Sequence, residues 1–230
     1  MYLSRLLLNP RSRQVQRELA DPYEMHRTVC RAFPDANYKD NKPSGILFRV
    51  DLHPKTRLPA LLVQSLQQPD WDFLLTERKD YLLDKNQLPS NVEKNPDFMP
   101  FDLKEKLREG QVLAFRLRAN PTFKKTAEKE DGKKHKARLG IFKEDDQRKW
   151  LERKLESAGA ALVSVNIADD QLVRGKLFIE KNDEQRLRFL SVLFDGVLQV
   201  KDPKQLVETT YTGIGSAKGL GFGLLSLAPA

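Results

Sequence analysis

The sequence has little cysteine and little histidine, and each shortage excludes a kind of site. Cys30 is the only cysteine among 230 residues, so the chain can form neither an internal disulfide nor a cysteine-based zinc site. A single thiol also fits a reducing cytosol. The histidines, His26, His53 and His135, are not spaced as ligands on one helix face, which argues against a histidine-based metal site.

Long apolar runs are also missing. No run approaches the about 18 apolar residues that a membrane-spanning helix needs. The first residues, Met-Tyr-Leu-Ser-Arg-Leu-Leu-Leu, place Arg5 inside an apolar run that is too short for a signal peptide. We therefore expect a soluble protein of the cytoplasm with no membrane partner.

Carboxylates of the kind that bind catalytic metal ions form only weak clusters. Each pair falls in a predicted loop or at a predicted helix start, where capping accounts for it. We therefore expect no metal site and no cofactor. The pairs are Asp70 with Asp72, Asp145 with Asp146, and Asp169 with Asp170.

Positive charge is what the sequence has in excess. Lysine and arginine number 40 against 32 aspartate and glutamate residues, which gives a formal charge of +8 and a pI near 9.5. This balance favours a polyanionic partner, nucleic acid first of all, although many soluble proteins are mildly basic. The length and the 40% hydrophobic content suffice for one large domain or two small ones.

The segment from Asp21 to Phe33 carries a clear helix signal. Asp21 suits the N-cap, Pro22 suits the first helical position, and Glu24 stands where a capping box places its acid. A period of 3.6 residues puts an apolar stripe on one face, which we expect to pack on a sheet. The stripe comprises Met25, Val29, Ala32 and Phe33.

A second face of this helix carries groups that can act on a phosphodiester. Tyr23 and His26 lie side by side, and the unpaired N–H groups of the first turn favour a phosphate. Histidine can accept or donate a proton near neutral pH, and RNA supplies its own nucleophile, the 2′-OH. We predict His26 as general acid or base, Tyr23 as proton donor or positioning group, and Arg31 or Arg27 as the cation at the phosphate.

The periodicity predicts an α+β fold with two tandem ferredoxin-like (RRM-like) β-α-β-β-α-β domains, at residues 1–95 and 105–230. Prolines interrupt the pattern between them. The first domain takes strands at 2–8, 45–52 and 61–66, the helix at 22–33, and a helical turn at 71–75. The second takes strands at 111–119, 161–168, 172–180, 186–194 and 222–227, helices at 143–158 and after 203, and a tight turn at 195–196.

Basic residues concentrate in the second domain. Arg116 and Arg118 share one face of a strand, and a charged segment at 123–138, predicted as a loop that a partner orders, contains Lys124 and Lys125. A glycine-rich loop at 213–223 matches neither a P-loop nor a dinucleotide fingerprint, but its N–H groups can hold phosphates. The RNA contacts predicted in this loop are Gly213, Gly215, Ser216, Lys218, Gly219 and Gly221.

Several elements occur in a fixed order along nearly the whole chain. They are the N-terminal Met-Tyr-Leu-Ser-Arg strand, Tyr23-Glu-Met-His26, Phe115-Arg-Leu-Arg-Ala-Asn-Pro-Thr122, Trp150-Leu151 and the glycine-rich loop. In combination they resemble the CasE family. These are the CRISPR-associated endoribonucleases that process precursor CRISPR RNA in subtype I-E systems.

The resemblance implies recognition of the repeat stem-loop and metal-independent cleavage at the 3′ base of the stem by a catalytic His26 assisted by Tyr23. It also implies a 5′-hydroxyl product end, a cyclic or 3′-phosphate end, and an enzyme that stays with its product as a Cascade subunit. A basic residue later on the helix helps in the family. Here it would be Arg31, with an electrostatic role, because arginine does not release its proton.

Two other interpretations remain open at this point. An RNA-binding protein of the same architecture could lack activity, and cleavage with magnesium chelated separates it from the enzyme. A double-stranded DNA binder would account for the charge but not for the Tyr23 and His26 face. A hairpin RNA compared with its DNA counterpart distinguishes that case.

Overall fold

The computed structural model describes residues 1–33, 45–53, 56–128, 134–180 and 183–230, with the backbone alone for 126–128, 134–137, 169–180 and 183–188. The first half forms an antiparallel sheet with strand order β2-β3-β1-β4. Its elements are β1 (Tyr2–Leu7), α1 (Arg13–Ala20), α2 (Pro22–Arg31), β2 (Leu47–Leu52), β3 (Pro59–Ser65), α3 (Asp72–Thr76) and β4 (Asp97–Pro100).

The second half forms another antiparallel sheet with strand order β10-β5-β9-β8, and β6 pairs with β7 in a separate hairpin. Its strands are β5 (Val112–Ala119), β6 (Thr122–Glu128), β7 (Lys134–Gly140), β8 (Ala160–Glu180), β9 (Asp183–Val200) and β10 (Leu225–Pro229). Its helices are α4 (Glu144–Glu156) and α5 (Pro203–Thr212).

Both four-stranded sheets have the same order when the strands of each sheet are numbered separately, with β6 and β7 left out. The fourth strand pairs with the first, the first with the third, and the third with the second, which is the order that a β-α-β-β-α-β chain takes in a ferredoxin-like fold. The predicted fold class is therefore confirmed. The last strand of the first sheet, β4, follows residue 95, and the division at 95 and 105 stays a prediction.

The helix predicted after Asp21 is present, and its start has the expected physical cause. The Asp21 side chain accepts a hydrogen bond from the Tyr23 N–H at 3.0 Å, and proline occupies the first turn. Met25 and Val29 are buried in the core of the first half, as the apolar stripe predicts. The helix ends at Arg31, two residues before the predicted end.

Helix α1 has no counterpart in the prediction. It buries Val15 and, less expectedly, the carboxylate of Glu18. Glu18 accepts hydrogen bonds from Thr28 on α2 at 2.7 Å and from the Tyr81 hydroxyl, and it pairs with Arg78 at 3.4 Å. Burial, with Glu18 adding to it, raises the pKa of Tyr81. A buried polar cluster thus fixes α2 against its neighbours, because an unpaired carboxylate would be costly there.

The described residues of the charged segment, 123–128 and 134–138, belong to the paired strands β6 and β7 and not to the predicted loop. Residues 129–133 of that predicted loop lie outside the described residues. Thr122 pairs with Gly140 and Glu128 with Lys134. The hairpin lies outside both sheets, and Phe123, Lys124 and Lys125 at its start are exposed. The side chains described at 123–125, 138 and 139 are exposed, and the segment lacks the alternation of apolar and polar residues by which a half-buried strand is recognised.

The predicted turn at Asp195-Gly196 is also wrong, because β9 runs through these residues. Asp195 pairs with Arg116 and Gly196 with Phe115 across the strands. A Cβ at residue 196 would lie 2.1 Å from the Ser164 carbonyl oxygen, so glycine serves a close strand approach there and not a turn. The strands predicted at 161–168 and 172–180 form the single strand β8, with an irregularity between them.

Each half has its own apolar core. Trp71 and Leu61 lie in the first, whereas Leu117, Trp150 and Phe194 lie in the second. In the part of the chain that the structure describes, no helix has the length and apolar character to cross a bilayer.

Candidate active site between the two halves

His26 lies where α2 meets the glycine-rich loop of the second half. Its ring is half-buried, and the Cys30 sulfur lies 3.4 Å from Nε2 and 3.6 Å from Nδ1. The Phe48 ring on β2 is inclined by 23° to the imidazole, with 6.5 Å between centroids. A Cβ at Gly219 would stand 3.5 Å from His26 Cε1. The loop therefore lies next to the imidazole, with room for no more than about a methyl group between Gly219 and the ring.

This packing changes the proton affinity of the ring. Burial lowers the pKa of His26 below its ordinary value of 6.5, because the charged imidazolium loses solvation. The ring is consequently neutral near pH 7. A neutral imidazole can accept a proton, which is what a general base must do.

Tyr23 lies beside His26, as the helical spacing predicts. The two ring centroids are 6.4 Å apart, with 36° between the planes. Tyr23 is in the first turn of α2, and its N–H is the one that Asp21 caps. The structure therefore brings the predicted phenol and imidazole together on one face.

The two arginines of α2 have carboxylate partners within the first half. Arg27 is exposed and lies 3.2 Å from Glu24 on the same helix. Arg31 donates to Glu77 at 2.7 Å, and its guanidinium lies 4.4 Å from the centroid of the Phe73 ring. Arg31 is thus engaged with the end of α3, and its predicted catalytic role requires it to exchange that partner for phosphate.

The glycine-rich loop is closed on itself and packed closely on β2. The Ile214 N–H donates to the Gly223 carbonyl at 2.9 Å. Gly213 has φ +74°, and a Cβ there would lie 2.9 Å both from the Gly223 oxygen and from Leu47 Cδ1. Only glycine combines this backbone conformation with so close an approach. The loop is therefore a shaped element that contacts the first half.

Lys218 brings positive charge to this loop. Its amine donates to the Thr212 carbonyl at 2.6 Å. Burial and, to a lesser degree, the charge of Lys154 on α4 lower the pKa of Lys218. Like charges held this close repel each other, and a phosphate between them would relieve that repulsion.

A basic cleft opens between the β6–β7 hairpin, α4 and the loop. It encloses about 480 Å³. Three of the residues predicted to bind RNA line the cleft, namely Lys124, Gly215 and Ser216. Lys125, also predicted, is exposed on the hairpin outside the cleft lining. Gly215 also covers Trp150, since a Cβ there would lie 3.4 Å from that ring. The other cationic side chains that line the cleft are Arg138, Arg153 and Lys154.

Sequence reasoning had not assigned Arg153 and Lys154 to a site. The signal was present, because these residues follow the core residue Trp150 by three and four positions and so flank it on the helix surface. Phe48 was likewise missed. Its contact with His26 joins two distant parts of the chain, and no local pattern records such a contact.

Arg116 and Arg118 lie on β5, away from the core face as predicted. Arg116 forms a two-pronged ion pair with Asp195, with N–O distances of 2.6 and 2.9 Å. The hydrogen bond to Asp195 raises the pKa of Arg116. Arg118 is half-buried, and its carbonyl accepts the Gly223 N–H at 2.8 Å. Arg116 is thus less available to an external anion than the sequence suggested.

The described residues contain no group of three or more His, Cys, Asp or Glu side chains placed to hold a metal ion. Two ferredoxin-like sheets in tandem, a histidine where the two halves meet and a basic cleft in the second half define a tandem ferredoxin-like protein with a surface suited to a polyanion. The family of CRISPR-associated proteins matches residues 1–229. The chain belongs to this family.

Two named relatives and a solved structure match this chain over its full length. The CRISPR-associated endoribonuclease Cse3 of Thermus thermophilus is 35% identical over 238 residues, and the match covers 100% of both chains. The CRISPR system Cascade subunit CasE of Escherichia coli is 29% identical over 233 residues, again with 100% of both covered. A structure of CRISPR endoribonuclease Cse3 bound to a 19-nucleotide RNA superposes with a TM-score of 0.73 and 33% identity, over 100% of both chains.

Proposed function

We propose that this protein is a metal-independent endoribonuclease that cuts precursor CRISPR RNA at the 3′ base of the repeat stem-loop and remains bound as a Cascade subunit. Endoribonuclease activity, an RNA partner and Cascade membership are supported by the full-length relatives named Cse3 and CasE. We place the protein in the cytoplasm, where its RNA substrate is transcribed. The cut position and the residue roles below are also part of the proposal.

The observation that carries the chemistry is the half-buried imidazole of His26 beside Tyr23, because burial lowers the pKa of His26 and so favours its neutral form. His26 accepts the proton of the ribose 2′-OH next to the scissile phosphate. The 2′-oxygen forms a bond to phosphorus, and the bond from phosphorus to the 5′-oxygen breaks. Tyr23 gives its proton to that leaving oxygen. The products are a 5′-hydroxyl and a 2′,3′-cyclic phosphate, and proton return from His26 through solvent restores Tyr23.

Arg31 supplies positive charge to the phosphate in the transition state. It cannot serve as a proton donor, so its contribution is electrostatic. To reach the phosphate, it leaves Glu77, with which it forms an exposed ion pair. Exposed pairs of this kind are weak, about 0 to 1 kcal/mol, so the exchange costs little. Arg27, also exposed, is the alternative cation on this helix.

The RNA is held mainly by the second half. Phosphate contacts fix a stem in register through cations and backbone N–H groups, without reading its sequence. The basic cleft provides such groups, and Arg153 and Lys154 join the predicted set. That set comprises Arg27, Arg116, Arg118, Lys124, Lys125, Gly213, Gly215, Ser216, Lys218, Gly219 and Gly221.

Two substrates and one chelator test the proposed reaction. A repeat hairpin RNA should be cleaved at an unchanged rate in EDTA. The same hairpin with a single 2′-deoxy substitution 5′ of the scissile phosphate should bind within about threefold of the normal affinity, since one hydroxyl supplies at most about one hydrogen bond. It should not be cut, because the nucleophile is absent. A requirement for a divalent ion, or cleavage of the deoxy hairpin, would contradict the mechanism.

A further inference from the structure

Two buried polar side chains of the first half bind the backbone of the second half on either side of the glycine-rich loop. Arg49 on β2 is 1% exposed and Gln64 on β3 is 3% exposed. Polar groups buried this deeply are costly unless they are fully hydrogen-bonded. The hydrogen-bond partners of Arg49 and Gln64 therefore show which segments these side chains hold in place.

Arg49 binds just after the loop. Its Nη1 donates to the carbonyl of Leu224 at 3.0 Å and to that of Arg116 at 3.2 Å, and its Nη2 donates to the Ser226 hydroxyl at 3.0 Å. Asp51 holds the other side of the guanidinium, with a shortest distance of 2.8 Å. The planar fork of arginine can reach several fixed acceptors at once.

Gln64 binds just before the loop. Its Nε2 donates to the Thr210 carbonyl at 2.7 Å. Thr210 is in the last turn of α5, where helix carbonyls lack partners within the helix. The amide of Gln64 therefore satisfies an end of α5 three residues before Gly213, where the loop begins.

Between these two attachments the loop lies against β2 and beside His26. Gly213 packs against Leu47, and a Cβ at Gly221 would lie 3.2 Å from the Phe48 ring. Gly219, at the centre, lies beside His26, where an added Cβ would stand 3.5 Å from the imidazole. The position of the loop over the imidazole thus depends on contacts at both of its ends.

We propose that Arg49 and Gln64 are positioning residues that clamp both ends of the glycine-rich loop and so hold the loop over the His26 imidazole. Neither needs to touch the substrate. They act through the loop, which excludes water from the ring and fixes the ring relative to the phosphate site. The proposal rests on the proposed catalytic role of His26, and it deepens that role.

The expected effect on the cleavage rate follows from the alignment that the reacting groups need. A displacement of about 1 Å can reduce a rate by about a hundredfold when reacting groups must be aligned. Loosening the loop would also return water to the imidazole. The pKa of His26 would then rise toward its ordinary value of 6.5, because the burial that lowers it is partly lost.

Two conservative variants of the full-length protein test the clamp. Arg49→Lys keeps a positive charge for Asp51 but loses the planar guanidinium that reaches several acceptors. Gln64→Met keeps the length of the side chain but removes the amide N–H donor. The pKa of His26 is measured from the NMR titration of its Cε1–H. Tyr23 and Cys30 on α2 and Lys218 on the loop are the neighbouring titratable groups, and the substitutions leave all three in place. Single-turnover cleavage of a hairpin RNA is measured in parallel.

We expect both variants to raise the pKa of His26 and to slow cleavage by about tenfold or more, with RNA affinity within about threefold. Gln147→Met is the matched control. Gln147 is 1% exposed and donates to the Ile141 carbonyl at 3.0 Å, but it does so within the second half. This control should leave the pKa of His26 and the cleavage rate unchanged.

A His26 pKa that stays at the wild-type value in both variants, or shifts equally in Gln147→Met, would overturn the clamp. If Arg49→Lys fails to fold, Gln64→Met decides alone. The titration does not depend on cleavage. Failure of the clamp is therefore distinct from failure of the proposed function, which would appear as normal cleavage by His26→Ala.

Discussion

The two halves share one strand order but carry different insertions after their first strand. In the first half, α1 stands between β1 and α2, and its Glu18 joins a buried polar cluster that fixes α2. In the second half, the β6–β7 hairpin stands between β5 and α4 and presents lysines to solvent. One insertion supports the helix to which we assign the chemistry, whereas the other extends the surface to which we assign RNA binding.

The cations of α2 and those around the glycine-rich loop also differ, in whether a carboxylate pairs with them. Arg27 and Arg31 on α2 have carboxylate partners, while burial and, to a lesser degree, the nearby charge of Lys154 lower the pKa of Lys218. The paired arginines leave α2 itself with little excess charge. Crowded cations make the second half the stronger attractor for phosphates.

The comparison predicts that removing His26 stops the chemistry without releasing the RNA. In His26→Ala, single-turnover cleavage of a hairpin RNA should fall by about 10² to 10⁴, the range that general acid–base catalysis contributes. Affinity should change by less than about threefold, because most contacts go to phosphates in the second half. Full cleavage with tight binding would break the assignment of chemistry to α2.

Removing charge from the cleft should have the opposite pattern. The double variant Arg153→Ala/Lys154→Ala should weaken hairpin binding and reduce the slope of log K against log salt by about 2, one for each phosphate contact. Cleavage of the bound RNA should be nearly unchanged. Arg5→Ala is the control in the first half, where Arg5 pairs with Asp97 at 3.4 Å. An equal change of slope in both would remove the contrast between the halves.

Arg116→Ala sharpens this measurement. Arg116 already binds Asp195 with two hydrogen bonds, so we expect a smaller change of slope than one unit. A full unit would show that RNA displaces Asp195 from this arginine.

The smallest expected effect concerns the partner of Arg31. Glu77→Gln weakens an exposed ion pair whose side chains are 44% and 57% exposed, and such pairs contribute at most about 1 kcal/mol. Cleavage at saturating enzyme should therefore rise by about twofold, since Arg31 becomes more available to the phosphate. A fall in rate would indicate that Glu77 positions Arg31 and does not compete for it.

The elements that the sequence predicted well have local causes. The α2 start follows from Asp21 and Pro22, and the interpretation of Tyr23 and His26 as neighbours follows from helical spacing. The β6–β7 hairpin and helix α1 were missed for different reasons. The hairpin sequence lacks apolar and polar alternation, and its described side chains at 123–125, 138 and 139 are exposed. Helix α1 buries the carboxylate of Glu18, whose partner Tyr81 lies far along the chain.

The surroundings of His26 could not be predicted in the same way. Phe48 and Gly219 reach the imidazole from two other parts of the chain, one in each half. The lowered pKa of His26 is a property of that assembly, because burial is its cause. The sequence therefore indicated His26 as the residue that we propose transfers a proton, while only the packing of the two halves indicated its protonation state.

The pH dependence of cleavage tests the central claim most directly. A general base works only when unprotonated, so the second-order rate constant of single-turnover cleavage should rise with pH and level off above the pKa of His26 in the free enzyme. Burial places that midpoint below 6.5. The account predicts a rising limb with a midpoint below this value, absent from the residual activity of His26→Ala. A rate that falls as pH rises through this range, or a rising limb that persists in His26→Ala, would contradict it.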